Sequence, residues 1–152
     1  MIIIKDTREK KGWDFTFAKE CAGQIVKKLD TGDYTIQGLE SKLCIERKKS
    51  VSEIAINLGS KWSVFKEELE RMRAYERRHI ICEFSMDDVL LFPANSSMPE
   101  WKKKKIKISG KFILSRLTSI SEDYGINVEY CNNSAQAIHR VLEIFKDVIF
   151  SA

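Results

Sequence analysis

The order of apolar and polar positions divides the chain into short extended runs and amphipathic stretches. Ile2, Ile3 and Ile4 form a β-branched run that suits a buried strand. A charged segment from Lys5 to Lys11 follows it. Phe17, Cys21, Ile25 and Leu29 recur at helical spacing, which predicts a helix over residues 15–29, broken by Thr31-Gly32. Residues 34–37 and 42–47 read as extended and are joined through 38–41 into a hairpin. Residues 50–58 predict a short helix with Ser50 as its N-cap. A longer helix over 63–78 has Phe65, Leu69 and Met72 on its buried stripe. A strand is expected at 80–84, a helical turn at 87–92 and an exposed loop from Pro93 through the lysines that follow. Helix 112–124, strand 126–130 and helix 134–150 complete the pattern, the last with Ala137, Ile138, Val141, Leu142, Phe145 and Ile149 on one face. This order implies an α/β fold, a mixed central sheet flanked by helices.

A length of 152 residues suits one domain with its own core. With 43% hydrophobic and 32% charged residues the composition is that of a globular protein, and disorder is not expected. No apolar run approaches the roughly 20 residues of a membrane span, and charges directly after Ile4 do not suit a secretory signal. Cys21, Cys44, Cys82 and Cys131 are widely spaced, so neither a zinc site nor a disulfide framework is expected. A reducing compartment, cytoplasmic or nuclear, is the expectation. The net charge of +4 is small, but its distribution is uneven. Lys102, Lys103, Lys104, Lys105, Lys107 and Lys111 follow Trp101 without an acid among them, and clustered charge attracts a polyanion better than dispersed charge.

The segment richest in chemistry surrounds the hairpin. Asp33 stands at the mouth of its first strand and Glu46 near the end of its second, and in an antiparallel pair those ends are neighbours. Glu46 and Lys48 share one strand face. Arg47 points to the other, while its carbonyl stays at the site. Two carboxylates and a carbonyl make a hard oxygen site suited to Mg²⁺ or Mn²⁺. A neighbouring ammonium can orient a water and help deprotonate it, an apparatus for phosphodiester hydrolysis. By spacing alone a solvated hairpin end with surface ion pairs is the commoner reading. Two features favour a site: Cys44-Ile45 leads straight into the charges, and a second cluster, Asp6-Thr7-Arg8-Glu9, also follows a β-branched run.

Together, Asp6-Thr7-Arg8-Glu9, Thr31-Gly32-Asp33-Tyr34 and Ile45-Glu46-Arg47-Lys48 resemble the XPF-type (ERCC4-domain) nucleases of the restriction-endonuclease-like PD-(D/E)xK superfamily, with the signature D-x-R-E, G-D, E-R-K-x-x-x-D. The resemblance covers most of the chain and implies a restriction-endonuclease-like fold, with residues 1–152 forming one nuclease domain. It implies cleavage of DNA with Mg²⁺ or Mn²⁺, often at branched or junction structures. Carried over, Asp33, Glu46 and the Arg47 carbonyl would ligate the metal and Lys48 would position the water. Asp6 would add a carboxylate near the metal, and Arg8 and Glu9 would organise the site or contact the phosphate. The last Asp of the signature falls on Ser52, with Glu53 beside it. That departure keeps open a non-catalytic DNA-binding module of the same fold, or an interaction subunit of a repair or recombination complex. Many members carry a tandem helix-hairpin-helix domain for which these residues leave no room. DNA grip is then expected from the nuclease domain, a partner or a second copy.

Other residues allow two readings each. Lys102, Lys103, Lys104 and Lys105 suit contact with DNA phosphates, or a solubilising surface run. Trp101 suits a half-buried anchor for that loop or a base-stacking ring. Glu67, Glu68, Glu70, Arg71 and Arg73 read as a solvated helix face with local ion pairs. Trp62, with Lys61 beside it, suits the core or an approach to substrate. His79 and His139 are isolated and read as structural or exposed. The last helix suits packing on the sheet or a homodimer interface.

Overall fold

The computed structural model describes residues 1–151. Six strands form one mixed sheet: β1 (Ile2–Lys5), β2 (Gly23–Val26), β3 (Tyr34–Ile36), β4 (Leu43–Lys48), β5 (Arg77–Cys82) and β6 (Asn127–Tyr130), in the order β2-β1-β3-β4-β5-β6. β3 is antiparallel to both β1 and β4, while the β1–β2, β4–β5 and β5–β6 pairs are parallel. Helices cover both faces, as parallel pairing through helical crossovers requires. One face is packed by α1 (Val51–Leu58), α2 (Trp62–Met72), α3 (Met86–Leu90) and α5 (Gly110–Tyr124). Their side chains Ile54, Phe65, Leu69 and Leu117 meet Cys44, Ile80 and Cys82 of the sheet. The other face carries α6 (Ser134–Phe150) and the N-terminal loop. Val141 and Phe145 there meet Trp13 and Phe15 over Ile3, Tyr34, Ile45 and Ile81. α6 therefore packs on the sheet. A short α4 (Glu100–Lys103) interrupts the expected loop.

Local chemistry explains most boundaries. Ser50 caps α1, its hydroxyl accepting the Glu53 N–H at 3.1 Å. Asn133 caps α6 in the same way through Gln136 N–H. The helix expected over 15–29 is absent: the chain makes turns and then β2, which extends β1 from Ile2↔Gly23 to Lys5↔Val26. The four-residue spacing there is coincidental, because Phe17 is 60% exposed and Ile25 39% exposed. Gln24 organises the segment instead, accepting from Phe15 N–H at 2.9 Å and donating to Trp13 C=O at 2.8 Å. α2 also ends at Met72, not at 78, and the strand begins at Arg77 rather than 80. The Arg78 guanidinium donates to the carbonyls of Arg73, Tyr75 and Gly125, satisfying backbone acceptors that a longer helix would have used itself.

All four cysteines are free. Burial pushes the Cys44 thiol up to about 12, so it is inert packing. Among the described residues no helix is long and apolar enough to cross a membrane.

Candidate active site

The end of the β3–β4 pair places Asp33 by backbone bonds on three sides. Its N–H donates to Ile45 C=O at 2.8 Å, and its carbonyl accepts the Asp6 N–H at 2.8 Å. Its carboxylate Oδ2 accepts the Arg47 N–H, also at 2.8 Å. Gly32 makes this approach feasible. Its φ is +88°, and a Cβ there would lie 2.6 Å from Cys44 Sγ and 3.2 Å from Ile45 C=O. The N–H and C=O of one strand residue point to the same edge, so the Arg47 carbonyl is directed to the Asp33 side.

Asp33 and Glu46 line one recess of about 280 Å³, together with Arg8, Thr31, Glu68 and Arg71. Lys48 lies on the Glu46 face of β4. It is buried, with Nζ 4.8 Å from the centre of the Phe65 ring. Burial lowers its pKa, and the charges of Glu53 and Asp33 oppose that only in part. Burial raises the Asp33 carboxyl above the ordinary range, with the Arg47 N–H and the Lys48 charge pulling it back and the Asp6 charge adding to the rise. Burial, then the charge of Asp33, pushes Glu68 up to about 7 against the pull of Arg71 and Arg8. Burial thus disfavours the charged forms of Asp33, Glu68 and Lys48 alike. Among the described residues no group of three His, Cys, Asp or Glu side chains is arranged to hold a metal by itself.

Arg47 serves the opposite face. Its guanidinium donates to Glu83 Oε1 at 3.0 Å, to Glu9 Oε2 at 3.3 Å and to Lys11 C=O at 3.2 Å, and lies 4.9 Å over the Trp13 ring. Trp13 Nε1 donates to the same Glu83 oxygen at 2.6 Å. Glu9 therefore belongs to this network, away from the recess. Asp6 uses both carboxylate oxygens locally: Oδ1 accepts Leu29 N–H at 2.7 Å, and Oδ2 accepts Arg8 Nε at 2.7 Å and Arg8 N–H at 3.0 Å. Burial alone would raise its carboxyl, but the bonds from Arg8 and Leu29 outweigh it and hold the group below the usual range. Asp6 is thus a brace between the ends of β1 and β2, and its neighbour Arg8 reaches the recess wall.

Ser52 lies beside a different hollow, of about 510 Å³, which Glu53 does not line. Glu53 accepts the Lys49 N–H at 2.9 Å, and its charge bears on Lys48. That second hollow has Lys102, Lys105 and Lys107 at its edge and Ala55, Phe92 and Ile108 in its wall. Lys103 is held by Ala94 C=O at 3.0 Å and Glu100 at 3.2 Å, and Lys104 is exposed. The lysine run therefore presents Lys102, Lys104 and Lys105 outward and keeps Lys103 for the loop. Trp101 is 60% exposed with Lys105 over its ring, so it is not the loop's anchor. Trp62 packs edge-on to Phe65 beneath Arg116, a core position. His79 is buried against Glu129 at 2.9 Å, and His139 meets Phe17 edge-on. His79 is thus structural and His139 exposed.

The helix face read as solvated is where sequence reasoning missed a recess residue. Glu68 and Arg71 face the recess, and Arg71 Nε donates to Thr31 Oγ1 at 3.1 Å. The available signal was position: Glu68 is three residues after Phe65 and four before Met72, inside the buried stripe.

Comparison with known proteins agrees with this fold. Among curated proteins none matches this chain. Its fold is similar to that of XPF from Aeropyrum pernix, with a TM-score of 0.68 and 18% identity over 98% of this chain and 65% of that one. XPF from Aeropyrum pernix in complex with DNA gives the same TM-score and identity over 99% of this chain and 66% of that one. This chain thus spans about two thirds of the length of those structures. The profile of the ERCC4 domain matches residues 5–143, and the chain belongs to that family of nuclease domains.

Proposed function

We propose that this chain is a divalent-metal-dependent endonuclease domain that hydrolyses DNA phosphodiester bonds, with branched or junction DNA as its preferred substrate. The observation that carries the reading is the meeting of Asp33 and Glu46 in one recess, with Lys48 on the same strand face. The donors fit Mg²⁺ or Mn²⁺: two carboxylates that line one recess and the Arg47 carbonyl are hard oxygens. Asp33, Glu46 and the Arg47 carbonyl would hold the ion. Bound there, it would supply Lewis-acid stabilisation of charge developing on a phosphate oxygen.

The chain's own groups then have separate duties. Lys48 orients the attacking water, and burial, by lowering its pKa, suits it to proton transfer with that water. The Glu53 charge, in the first turn of α1, favours the charged form of Lys48 against that burial. Arg8, at the recess wall, pairs with a substrate phosphate, while Asp6 fixes the angle of its guanidinium. Lys102, Lys104 and Lys105 attract the DNA backbone, with a strong dependence on salt. That one relative was solved with DNA supports this choice of substrate.

The test is cleavage of linear, flap, fork and junction DNA with Mg²⁺ or Mn²⁺ by wild type, Asp33→Ala and Glu46→Ala. Cleavage by wild type and loss by orders of magnitude in both variants is the expected result. Equal cleavage by all three overturns it. Ser52 in place of the signature Asp supports a second reading, a DNA-binding module without catalysis. DNA binding with no cleavage under either ion would establish that reading instead.

A further inference from the structure

We propose that Glu68 is a third acid of the metal site, reaching from α2 to hold the ion's hydration shell rather than ligating the ion directly. The inference rests on the nuclease reading above and adds to it a residue outside the motifs that carry that reading. Glu68 lines the recess with Asp33 and Glu46, although it comes from a different layer of the fold. Among the described residues its carboxylate makes no hydrogen bond and no ion pair, although two arginines share the recess. Arg71 turns its Nε to Thr31 Oγ1 at 3.1 Å, and Arg8 is committed to Asp6 at 2.7 Å and Leu29 C=O at 3.0 Å. A half-buried carboxylate beside a second one, with no hydrogen-bond donor of its own and both neighbouring guanidiniums bonded to other acceptors, is free to accept from a ligand held in the recess. No three acids here are arranged as a direct ligand set. Mg²⁺ dehydrates reluctantly, usually taking one or two carboxylates and keeping several waters, and those waters need acceptors. A carboxylate one layer out, on the helix facing the β3–β4 end, supplies one. Such outer partners typically change metal affinity by about 10- to 100-fold.

The experiment is Mn²⁺ titration of the full chain by isothermal calorimetry, with thermal unfolding of each variant as the check on folding. Glu68→Gln removes the charge at nearly constant shape, and Glu68→Asp keeps the charge while withdrawing it by one methylene. Both are expected to weaken Mn²⁺ binding by about 10-fold or more, and Asp33→Asn to weaken it further. Wild-type affinity in Glu68→Gln, with Asp33→Asn weakened, overturns this inference and leaves the nuclease reading intact. Wild-type affinity in Glu68→Asp alone shows a general field effect and overturns the positional role. Unchanged binding in Asp33→Asn and Glu46→Gln overturns both readings.

Discussion

Removing the Arg47 guanidinium should destabilise the fold through the face opposite the recess. Its side chain is 8% exposed, between Glu9 at 6% and Glu83 at 9%. Arg47→Ala leaves Glu83 with only the Trp13 N–H and Glu9 with only the more exposed Lys49 at 3.6 Å, and breaking such a buried pair costs about 3–5 kcal/mol. Against a typical total of roughly 5–15 kcal/mol that is a large fraction. The assay is equilibrium unfolding in urea at neutral pH, followed by tryptophan fluorescence. Trp13 reports locally, because it stacks on Tyr34 at 4.9 Å beneath the guanidinium. With an m-value of about 2 kcal/mol/M, the midpoint should fall by roughly 1.5–2.5 M. Arg47→Lys keeps the charge but cannot fork between two acids, so it should lose about 1.5–3 kcal/mol. The sharper test is a double-mutant cycle. Glu83→Gln should destabilise the wild type and stabilise Arg47→Ala, since it removes the charge left unpaired. A loss under about 1 kcal/mol in Arg47→Ala, or the same sign for Glu83→Gln in both backgrounds, would refute the buried-network argument.

Three further outcomes follow from the recess. In metal-free protein Glu68→Gln should be more stable than wild type at pH 8, with the gap closing toward pH 4.5. A carboxyl raised from 4.5 to about 7 destabilises the fold as pH rises through that interval, by at most about 3 kcal/mol. A gap independent of pH in urea melts would contradict this. Gly32→Ala places a Cβ 2.6 Å from Cys44 Sγ at φ +88°, so it should cost about 1–3 kcal/mol. It should also displace Asp33, and cleavage at saturating DNA should fall further than the folded fraction does. Lys48→Met removes a buried ammonium over the Phe65 ring, so thermal stability should hold or rise while cleavage disappears. Cleavage retained by the Met variant would remove Lys48 from the chemistry.

What could be read from the sequence depended on whether the deciding contact was local. The Ile2–Ile4 strand, the hairpin, the Ser50 cap and the apolar face of α6 are recorded in spacing or capping chemistry within a few residues. β2 is not: it is an edge strand, half exposed, and its place is set by parallel pairing with β1 across an intervening loop. Its accidental helical spacing prevailed on paper because no local signal opposed it. The end of α2 was hidden for a related reason. Residues 73–78 carry one core side chain, Tyr75, and no period of their own, and the pairing Leu43↔Arg77 decides where the chain must become extended. Asp33, Glu46 and Lys48 were legible because a hairpin fixes which ends meet. Glu68 was not, because a carboxylate on a helix reads as solvated until another layer of the fold is laid against it.

The recess owes its donors to a break in the ladder rather than to the ladder itself. β3 pairs with β4 at Tyr34↔Ile45, and continuing the register would bring Gly32 opposite Arg47. Gly32 instead turns away at positive φ, so no strand backbone remains to receive the Arg47 N–H. The Asp33 carboxylate takes that place at 2.8 Å. β4 meanwhile continues to Lys48 because β5 supports it from the other side, through Lys48↔Cys82. A strand held on one edge and released on the other exposes its next carbonyl beside the acid that replaced its partner. That is how a sheet whose faces are otherwise covered places hard oxygen atoms at the end of a strand pair. It also explains why the acid must follow a glycine directly: without the turn at Gly32 the ladder would continue, and the Arg47 carbonyl would be consumed by it.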